Sequence, residues 1–172
     1  MRLIHTAIIT LTLFSLTLSC YLLGYRFNHS TSYPFGIYRL TTQQTHYTKG
    51  ELILFCPPNK PILHTALERH YLNTGRCKGG FEPVIKKIFG VAGDKISFTQ
   101  TININNTPVP HTRRLQRDSH DRPLPQLANF IISPHHIFVL SDHKPVISFD
   151  SRYYGEVNIN HVIGGIEPIL TQ

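Results

Sequence analysis

A serine and a pair of lysines are the residues in this chain whose types could support covalent catalysis. Ser32 opens the segment SYPFGIYR, in which Pro34 fixes one backbone angle and Gly36 permits a turn. Because proline disfavours the helical conformation of the residue before it, Tyr33 is expected to be extended. A serine held in this way is presented to its surroundings and not buried. The alternative interpretation is an ordinary turn.

The two lysines, Lys86 and Lys87, lie in the segment VIKKIFGVAGDKI, residues 84–96. On an alternating strand they point to opposite faces, so one of them lies among apolar neighbours whichever face is inward. Burial disfavours the charged amine, and a neutral amine can take the proton of a serine hydroxyl. The pattern does not choose between the two lysines. It is also typical of an edge strand protected by charged side chains.

A third polar segment is VLSDHKPVISFDSRYYGEV, residues 139–157, which contains Asp142, Asp150 and Arg152 between two predicted strands. A dense polar cluster beside a core often braces a functional site. The alternative is a capped turn held by an ordinary ion pair, which contributes little by itself.

A long apolar segment precedes all of these residues. Residues 3–25 comprise 23 positions without Lys, Arg, Asp or Glu, which exceeds the roughly 20 needed to span a bilayer as a helix. We therefore predict a transmembrane anchor at residues 1–25, with a short cytoplasmic start, and one domain at residues 26–172. A cleaved signal peptide is the alternative, but no small-x-small cleavage site follows the segment.

The remainder of the chain is predicted to be a mainly β domain with one short helix. The helix is predicted within residues 61–75, from Pro61 at its start to Gly75 at its end. Residues 105–135 are polar and rich in proline, and predict a hairpin followed by an irregular excursion. Runs that are β-branched or alternating, and bounded by turn residues, predict strands at 51–56, 83–91, 94–98, 101–106, 136–140 and 156–165.

Composition limits the classes of partner. Lys and Arg outnumber Asp and Glu 17 to 10, for a net charge of +7. No basic run is longer than two residues, so nucleic-acid binding is not predicted. Neither C-x-x-C nor H-x-x-x-H spacing with further ligands occurs, so neither a metal nor a cofactor is expected.

The order of these segments resembles the signal peptidase family of serine–lysine proteases. An apolar segment, S-x-P, K-K/R-x-x-G-x-x-G-D and S/G-D…DSR-x-x-G follow one another between the N-terminus and residue 165. The segments SYPFGIYR, KGELILFCPP, YLNTGRCKGG and VIKKIFGVAGDKI further resemble conjugative-transfer signal peptidases of the TraF type, in which serine and proline are two apart and the CPP and GxCxGG elements recur. Only the excursion around residues 110–130 has no recognisable counterpart.

The resemblance implies a role for each matched residue. Ser32 is the nucleophile and Lys86 the general base, which decides between the two lysines. Ser30 matches a hydroxyl that helps backbone N–H groups hold the oxyanion. Asp150 and Arg152 match the element that supports the setting of the lysine. None of the eleven histidines is assigned a catalytic role.

Departures from the family pattern fall near the aspartates. General signal peptidases have proline at the position of Ala92 and usually arginine at that of Lys87. They commonly have glycine at the position of Ser141. One extra residue lies between Asp142 and Asp150, so the resemblance does not decide which aspartate affects the rate.

Two cysteines, Cys56 and Cys77, lie in two of the family elements. In an oxidising compartment they would be able to pair, and the loop that they close would stabilise the fold. The alternative is two reduced cysteines in the core.

The resemblance implies a membrane-anchored serine endopeptidase that processes a pilin or another membrane-associated precursor for conjugative transfer. Its partners would be the precursor polypeptide, the inner membrane and the conjugative transfer machinery, with the catalytic domain in the periplasm. Water or an amine resolves the acyl-enzyme, and attack by the substrate's own N-terminus would produce a cyclic peptide. The alternatives are a general signal peptidase and a non-catalytic bitopic component of a secretion or pilus machine.

Overall fold

The computed structural model describes residues 2–172, which begin with an exposed helix, α1 (Arg2–Leu22). By length and composition α1 is able to cross a membrane, and an N-terminal signal sequence meets the same criteria. The hydroxyls of Thr10 and Ser19 donate to backbone carbonyls four residues earlier. Such bonds satisfy polar side chains within the helix itself, which an apolar environment requires.

The strands and short helices that follow α1 form a mainly β domain. In chain order the elements are β1 (Tyr25–Asn28), β2 (Gly36–Leu40), β3 (Leu52–Phe55), α2 (Pro61–Glu68), β4 (Val84–Val91), β5 (Lys95–Phe98), β6 (Ile102–Ile104), β7 (Thr107–Pro108), β8 (Phe130–Ile131), β9 (His136–Leu140), α3 (Ser151–Tyr154), β10 (Val157–Asn158), a 3-10 turn (Ile159–His161) and β11 (Val162–Thr171).

Two antiparallel sheets divide these strands. The larger sheet has seven strands in the order β1-β2-β11-β3-β4-β9-β10, and the smaller has four in the order β7-β6-β5-β8. In the larger sheet β4 lies between β3 and β9, with Lys86 opposite Ile53 and Lys87 opposite Leu140. In this interior position β4 is hydrogen-bonded to a neighbouring strand on each side.

Apolar side chains cover both faces of the larger sheet around β3 and β4. The main core lies on one face and includes Phe55, Leu63 and Ile88, all buried. A smaller cluster that contains Leu54 and Ile85 lies on the other face. Because consecutive residues of a strand point to opposite faces, burial of both faces explains the unbroken apolar run in β3.

The mainly β architecture after an apolar N-terminal helix is confirmed, while several element boundaries differ from those predicted. The predicted helix at 61–75 ends at Glu68, because His70 has a positive φ of 59° that breaks the helical path. The predicted strand at 156–165 is divided into β10, the 3-10 turn and β11. Strands β1, β2, β7 and β8 and helix α3 were not predicted, since each is short and carries a weak pattern.

Cys56 and Cys77 form a disulfide in the structure, with Cα atoms 5.5 Å apart. It joins the residue after β3 to the segment after α2. Replacing both cysteines by alanine is expected to lower the free energy of unfolding by about 2–4 kcal/mol, because the chain between them gains freedom when unfolded. The urea midpoint of the full chain in detergent micelles measures this loss.

The matched control for that experiment is Cys20→Ala, since Cys20 is an exposed free thiol in α1. Its unfolding midpoint is expected to equal that of the unaltered protein. An unchanged midpoint for the double variant would contradict a stabilising role for the disulfide.

Candidate active site

Lys86 is the buried member of the lysine pair. Its side chain lies on the face of β4 that carries Ile88 and the main core, and the residue is only 2% exposed. Lys87 points to the opposite face, where its side chain is 34% exposed. Burial therefore distinguishes the two lysines, which the alternating pattern could not do.

Burial lowers the pKa of Lys86 to about 8. The negative charge of Asp150 acts in the opposite direction, and the positive charge of Arg152 lowers the pKa further. At pH 7.5 about a quarter of such amines are neutral, against about one in a thousand at the ordinary lysine pKa. Lys86 can therefore accept a proton near neutral pH.

Ser32 lies in the turn between β1 and β2 and is partly exposed. Its carbonyl oxygen accepts a hydrogen bond of 2.6 Å from the hydroxyl of Ser141. The next residue, Tyr33, donates from its hydroxyl to Asp142 at 2.6 Å. The donor, Ser141, and the acceptor, Asp142, directly follow the end of β9, which pairs with β4. These two bonds hold the turn that bears Ser32 beside the strand that bears Lys86.

Asp142 connects the same two segments on the other face of the sheet. Its carboxylate accepts from the hydroxyl of Tyr33 and also pairs with the ammonium of Lys87. Burial raises the pKa of Asp142, but the hydrogen bonds from Lys87 and Tyr33 outweigh burial and the net shift is downward. Asp142 is thus an ionised structural tie, in contact with the neighbours of Ser32 and Lys86.

Asp150 and Arg152 form a fully buried ion pair beside Lys86, both at 0% exposure. Arg152 donates from Nε to Oδ1 of Asp150 at 2.8 Å and from Nη2 to Oδ2 at 2.9 Å. Asp150 also caps α3 by accepting from the backbone N–H of Arg152, and it accepts from the N–H of Ser141 at 3.4 Å. Ser141 therefore touches both the turn of Ser32 and the buried pair.

One polar residue of the site was missed from the sequence. Asn28 is buried, and its amide nitrogen donates to the carbonyls of Tyr33 and Pro34 at 3.1 and 3.0 Å. Its side-chain oxygen accepts from the backbone N–H and hydroxyl of Ser30. The Asn-x-Ser spacing, typical of a local side-chain turn, was the available signal. Ser148 is also buried, and its hydroxyl has no hydrogen-bond partner among residues 2–172.

Three cavities are lined by residues close to Ser32 in the chain. The small cavity, of about 40 Å³, adjoins Ser30 and has Leu54 and Ile85 in its lining. The larger cavity, of about 460 Å³, adjoins Thr31 and Ser148. A third, also of about 460 Å³, adjoins Tyr33 and Lys87. A partly exposed serine, a buried amine that is partly neutral near pH 8, and a groove with apolar walls are the parts that acyl transfer to a serine requires.

Comparison with known proteins assigns the class. A family model described as signal peptidase, peptidase S26, matches residues 1–170. The chain therefore belongs to the signal peptidase family, and the resemblance drawn from its motifs is confirmed.

Relatives within this family carry transfer-related names. The chain is 32% identical to a probable conjugal transfer protein TraF of Sinorhizobium fredii over 86% of this chain and 78% of the relative. It is 31% identical to a plasmid transfer protein TraF of Escherichia coli over 89% of this chain and 86% of the relative. Among solved structures, a signal peptidase I of Enterococcus faecalis is similar at 19% identity and a TM-score of 0.41, covering 70% of this chain and 97% of that one.

Proposed function

We propose that this chain is a membrane-anchored serine endopeptidase, with Ser32 as nucleophile and Lys86 as general base, which processes a pilin or another membrane-associated precursor for conjugative transfer. The observation that carries the proposal is the buried amine of Lys86, whose pKa burial lowers to about 8. An amine with this pKa is matched to proton transfer at physiological pH.

In the proposed reaction neutral Lys86 accepts the hydroxyl proton of Ser32, and the serine oxygen attacks the carbonyl carbon of the scissile bond. The tetrahedral oxyanion collapses, the C–N bond breaks, and Lys86 returns the proton to the leaving amine. An acyl-enzyme remains on Ser32. A water molecule or an amine then attacks the ester, with Lys86 again as the base.

The oxyanion is stabilised in this proposal by backbone N–H groups of the turn that bears Ser32 and by the hydroxyl of Ser30. The hydroxyl of Ser30 donates to Asn28 at 2.8 Å in the structure. To stabilise the oxyanion, this hydroxyl exchanges Asn28 for the substrate oxygen, while Asn28 retains its bonds to the carbonyls of Tyr33 and Pro34. Asn28 is therefore a positioning residue in the proposed mechanism.

Asp150 and Arg152 have a supporting role in this proposal. They impose opposite electrostatic effects on the pKa of Lys86 and fix the residues that follow β9. Asp142 holds the turn of Ser32 through Tyr33. Neither of the two aspartates transfers a proton in this proposal, and Arg152 does not either.

The small cavity beside Ser30 supports a preference for small side chains on the acyl side of the scissile bond. Its volume of about 40 Å³ is small, and its lining includes Leu54 and Ile85. Small residues are common in many proteins, so the membrane supplies further selectivity. Tethering enzyme and precursor to one bilayer raises their effective concentration.

Two alternative functions have distinct tests. A general signal peptidase would process many exported proteins, and conjugation genes beside this one would favour the specialised role. A non-catalytic bitopic component would have no need for a serine beside a desolvated lysine. The names of the TraF relatives support the transfer role.

Coexpression with a conjugative pilin precursor tests the function. The precursor is expected to be shortened in membranes that contain the enzyme and to stay full-length with Ser32→Ala. Intact-mass spectrometry of the product also distinguishes its chemistry, since a cyclic peptide is lighter by one water than the hydrolysed chain. Equal processing with both enzymes would reject the proposal.

The proposed location of the chemistry predicts a topology in which residues 26–172 are periplasmic and the N-terminus is cytoplasmic. A fusion at Gln172 to alkaline phosphatase, which folds only outside the cytoplasm, is expected to be active. A fusion of β-galactosidase at the same residue is expected to be inactive. The reverse pair of results would place the domain in the cytoplasm and contradict the proposal.

A further inference from the structure

The larger cavity, of about 460 Å³ and lined by Thr31 and Ser148, is separate from the small cavity beside Ser30. Thr31 lines the larger cavity and Ser30 the smaller, and the two share no lining residue. If the acyl side of a substrate occupies the small cavity, the larger cavity is left for residues on the amine side of the scissile bond.

One wall of the larger cavity comes from the excursion predicted around residues 110–130, which contributes Leu115, Asp118 and Leu124. The excursion is fixed to the buried core of the site. Arg152 donates to the carbonyl of Arg113 at 3.0 Å, and the N–H of Leu115 donates to the hydroxyl of Tyr153 at 3.2 Å. Because these bonds attach it to α3, the wall is part of the folded site.

The lining of the cavity is suited to an uncharged, apolar peptide segment. Leu115, Leu124, Val146 and Ile147 are among its side chains. The carboxylate of Asp118, which also lines it, is already occupied by Tyr71 and Arg122. Arg117 likewise pairs with Asp121. With these charges paired among themselves, the four apolar side chains and the unpaired hydroxyl of Ser148 remain for a ligand.

We propose that this cavity binds the apolar residues on the amine side of the scissile bond, and that it also holds a peptide amine when such an amine resolves the acyl-enzyme. The inference rests on the proposed acyl-transfer function. In the second reaction the C–O bond to Ser32 breaks as the new C–N bond forms, and the amine proton passes through Lys86 to the serine oxygen. One cavity serves both because aminolysis of the acyl-enzyme is the reverse of its formation from a peptide.

The test measures how the acyl-enzyme divides between water and added amines. The full chain in detergent micelles is acylated with the thiobenzyl ester of N-acetyl-alanyl-alanyl-alanine, and thiol release reports acylation. Leucyl-phenylalanine amide and glycinamide are compared as acceptors, and the ratio of amide to acid product is determined by liquid chromatography. Leucyl-phenylalanine amide is expected to be at least about tenfold more effective, since only its side chains reach the cavity.

Ile147→Asp is the test variant and Ile131→Asp its matched control. Both isoleucines are exposed, at 68% and 64%, and only Ile147 lines the cavity. Ile147→Asp is expected to lower the preference for leucyl-phenylalanine amide over glycinamide about tenfold, because a carboxylate replaces an apolar contact. Ile131→Asp is expected to keep the preference of the unaltered enzyme.

The outcomes separate this inference from the function on which it rests. Thiol release at the same rate with Ser32→Ala would reject the serine mechanism and the inference together. Ser32-dependent release without a preference between the two acceptors, or with the same preference in Ile147→Asp, would overturn the inference alone.

Discussion

Ser32→Ala and Lys86→Ala are each expected to lower kcat/KM for the precursor by at least about a thousandfold. The first removes the proposed nucleophile and the second removes its proposed base. Because the two residues act as one unit, the double variant is expected to be no slower than either single variant. Rates of precursor cleavage in detergent micelles measure these losses.

Lys86→Arg is expected to be as inactive as Lys86→Ala, because a guanidinium does not lose its proton in a protein. Lys87→Arg is the matched control, since a guanidinium preserves the charge that pairs with Asp142. It is expected to retain activity. Full activity in Lys86→Arg would show that Lys86 is not the base.

The dependence of kcat/KM on pH reports the same amine. Since burial lowers the pKa of Lys86 to about 8, activity is expected to rise tenfold per pH unit below 8 and to level off above it. A profile that is flat from pH 6 to 10 would contradict the assignment. Lys86→His, if it has measurable activity, is expected to move this rise towards acid.

Unfolding experiments on a Lys86 variant distinguish loss of the amine from misfolding as the cause of lost activity. The folded protein binds the Lys86 proton less readily than the unfolded chain, so Lys86 lowers stability fully below pH 8 and progressively less up to about 10.5. The shift corresponds to roughly 3 kcal/mol. Lys86→Met is therefore expected to be inactive but more stable than the unaltered protein at pH 6, with the difference shrinking as the pH rises towards 10.

Arg152→Met is expected to have the largest effect on stability, a loss of about 3–5 kcal/mol in the free energy of unfolding. Arg152 and Asp150 are both fully buried, so the substitution leaves a buried carboxylate without its cation. Urea unfolding measures the loss. The double variant Asp150→Leu/Arg152→Met is expected to be more stable than Arg152→Met, because it leaves no unpaired charge in the core.

The same ion pair is expected to change the pH profile in a way that a purely structural role would not. The charge of Asp150 raises the pKa of Lys86 and that of Arg152 lowers it. Arg152→Met should therefore move the rise in activity to higher pH, whereas Asp150→Asn should move it to lower pH. If the pH midpoint of kcat/KM is unchanged in both folded variants, the pair has only a structural role. If the losses in free energy of unfolding add in the double variant, Asp150 and Arg152 are not coupled.

The sequence by itself determined which residue types are available for chemistry and the order of the parts. The apolar run predicted the helix, the alternation around Lys86 and Lys87 required one lysine among apolar side chains, and the order of motifs identified the family. These features are local or depend only on residue type, so they can be read along the chain. The β character of the domain follows in the same way from short runs bounded by turn residues.

Only the tertiary structure decided which lysine is buried and how the turn of Ser32 is held. Alternation defines two faces of β4, but the burial of Lys86 depends on the main core, which is built from segments far away in the sequence. The ties from Ser141 to Ser32 and from Asp142 to Tyr33 each span 109 residues. The excursion became a cavity wall through its bonds to α3. Contacts over such separations arise from how the sheets pack, and the local pattern of residues carries no record of them.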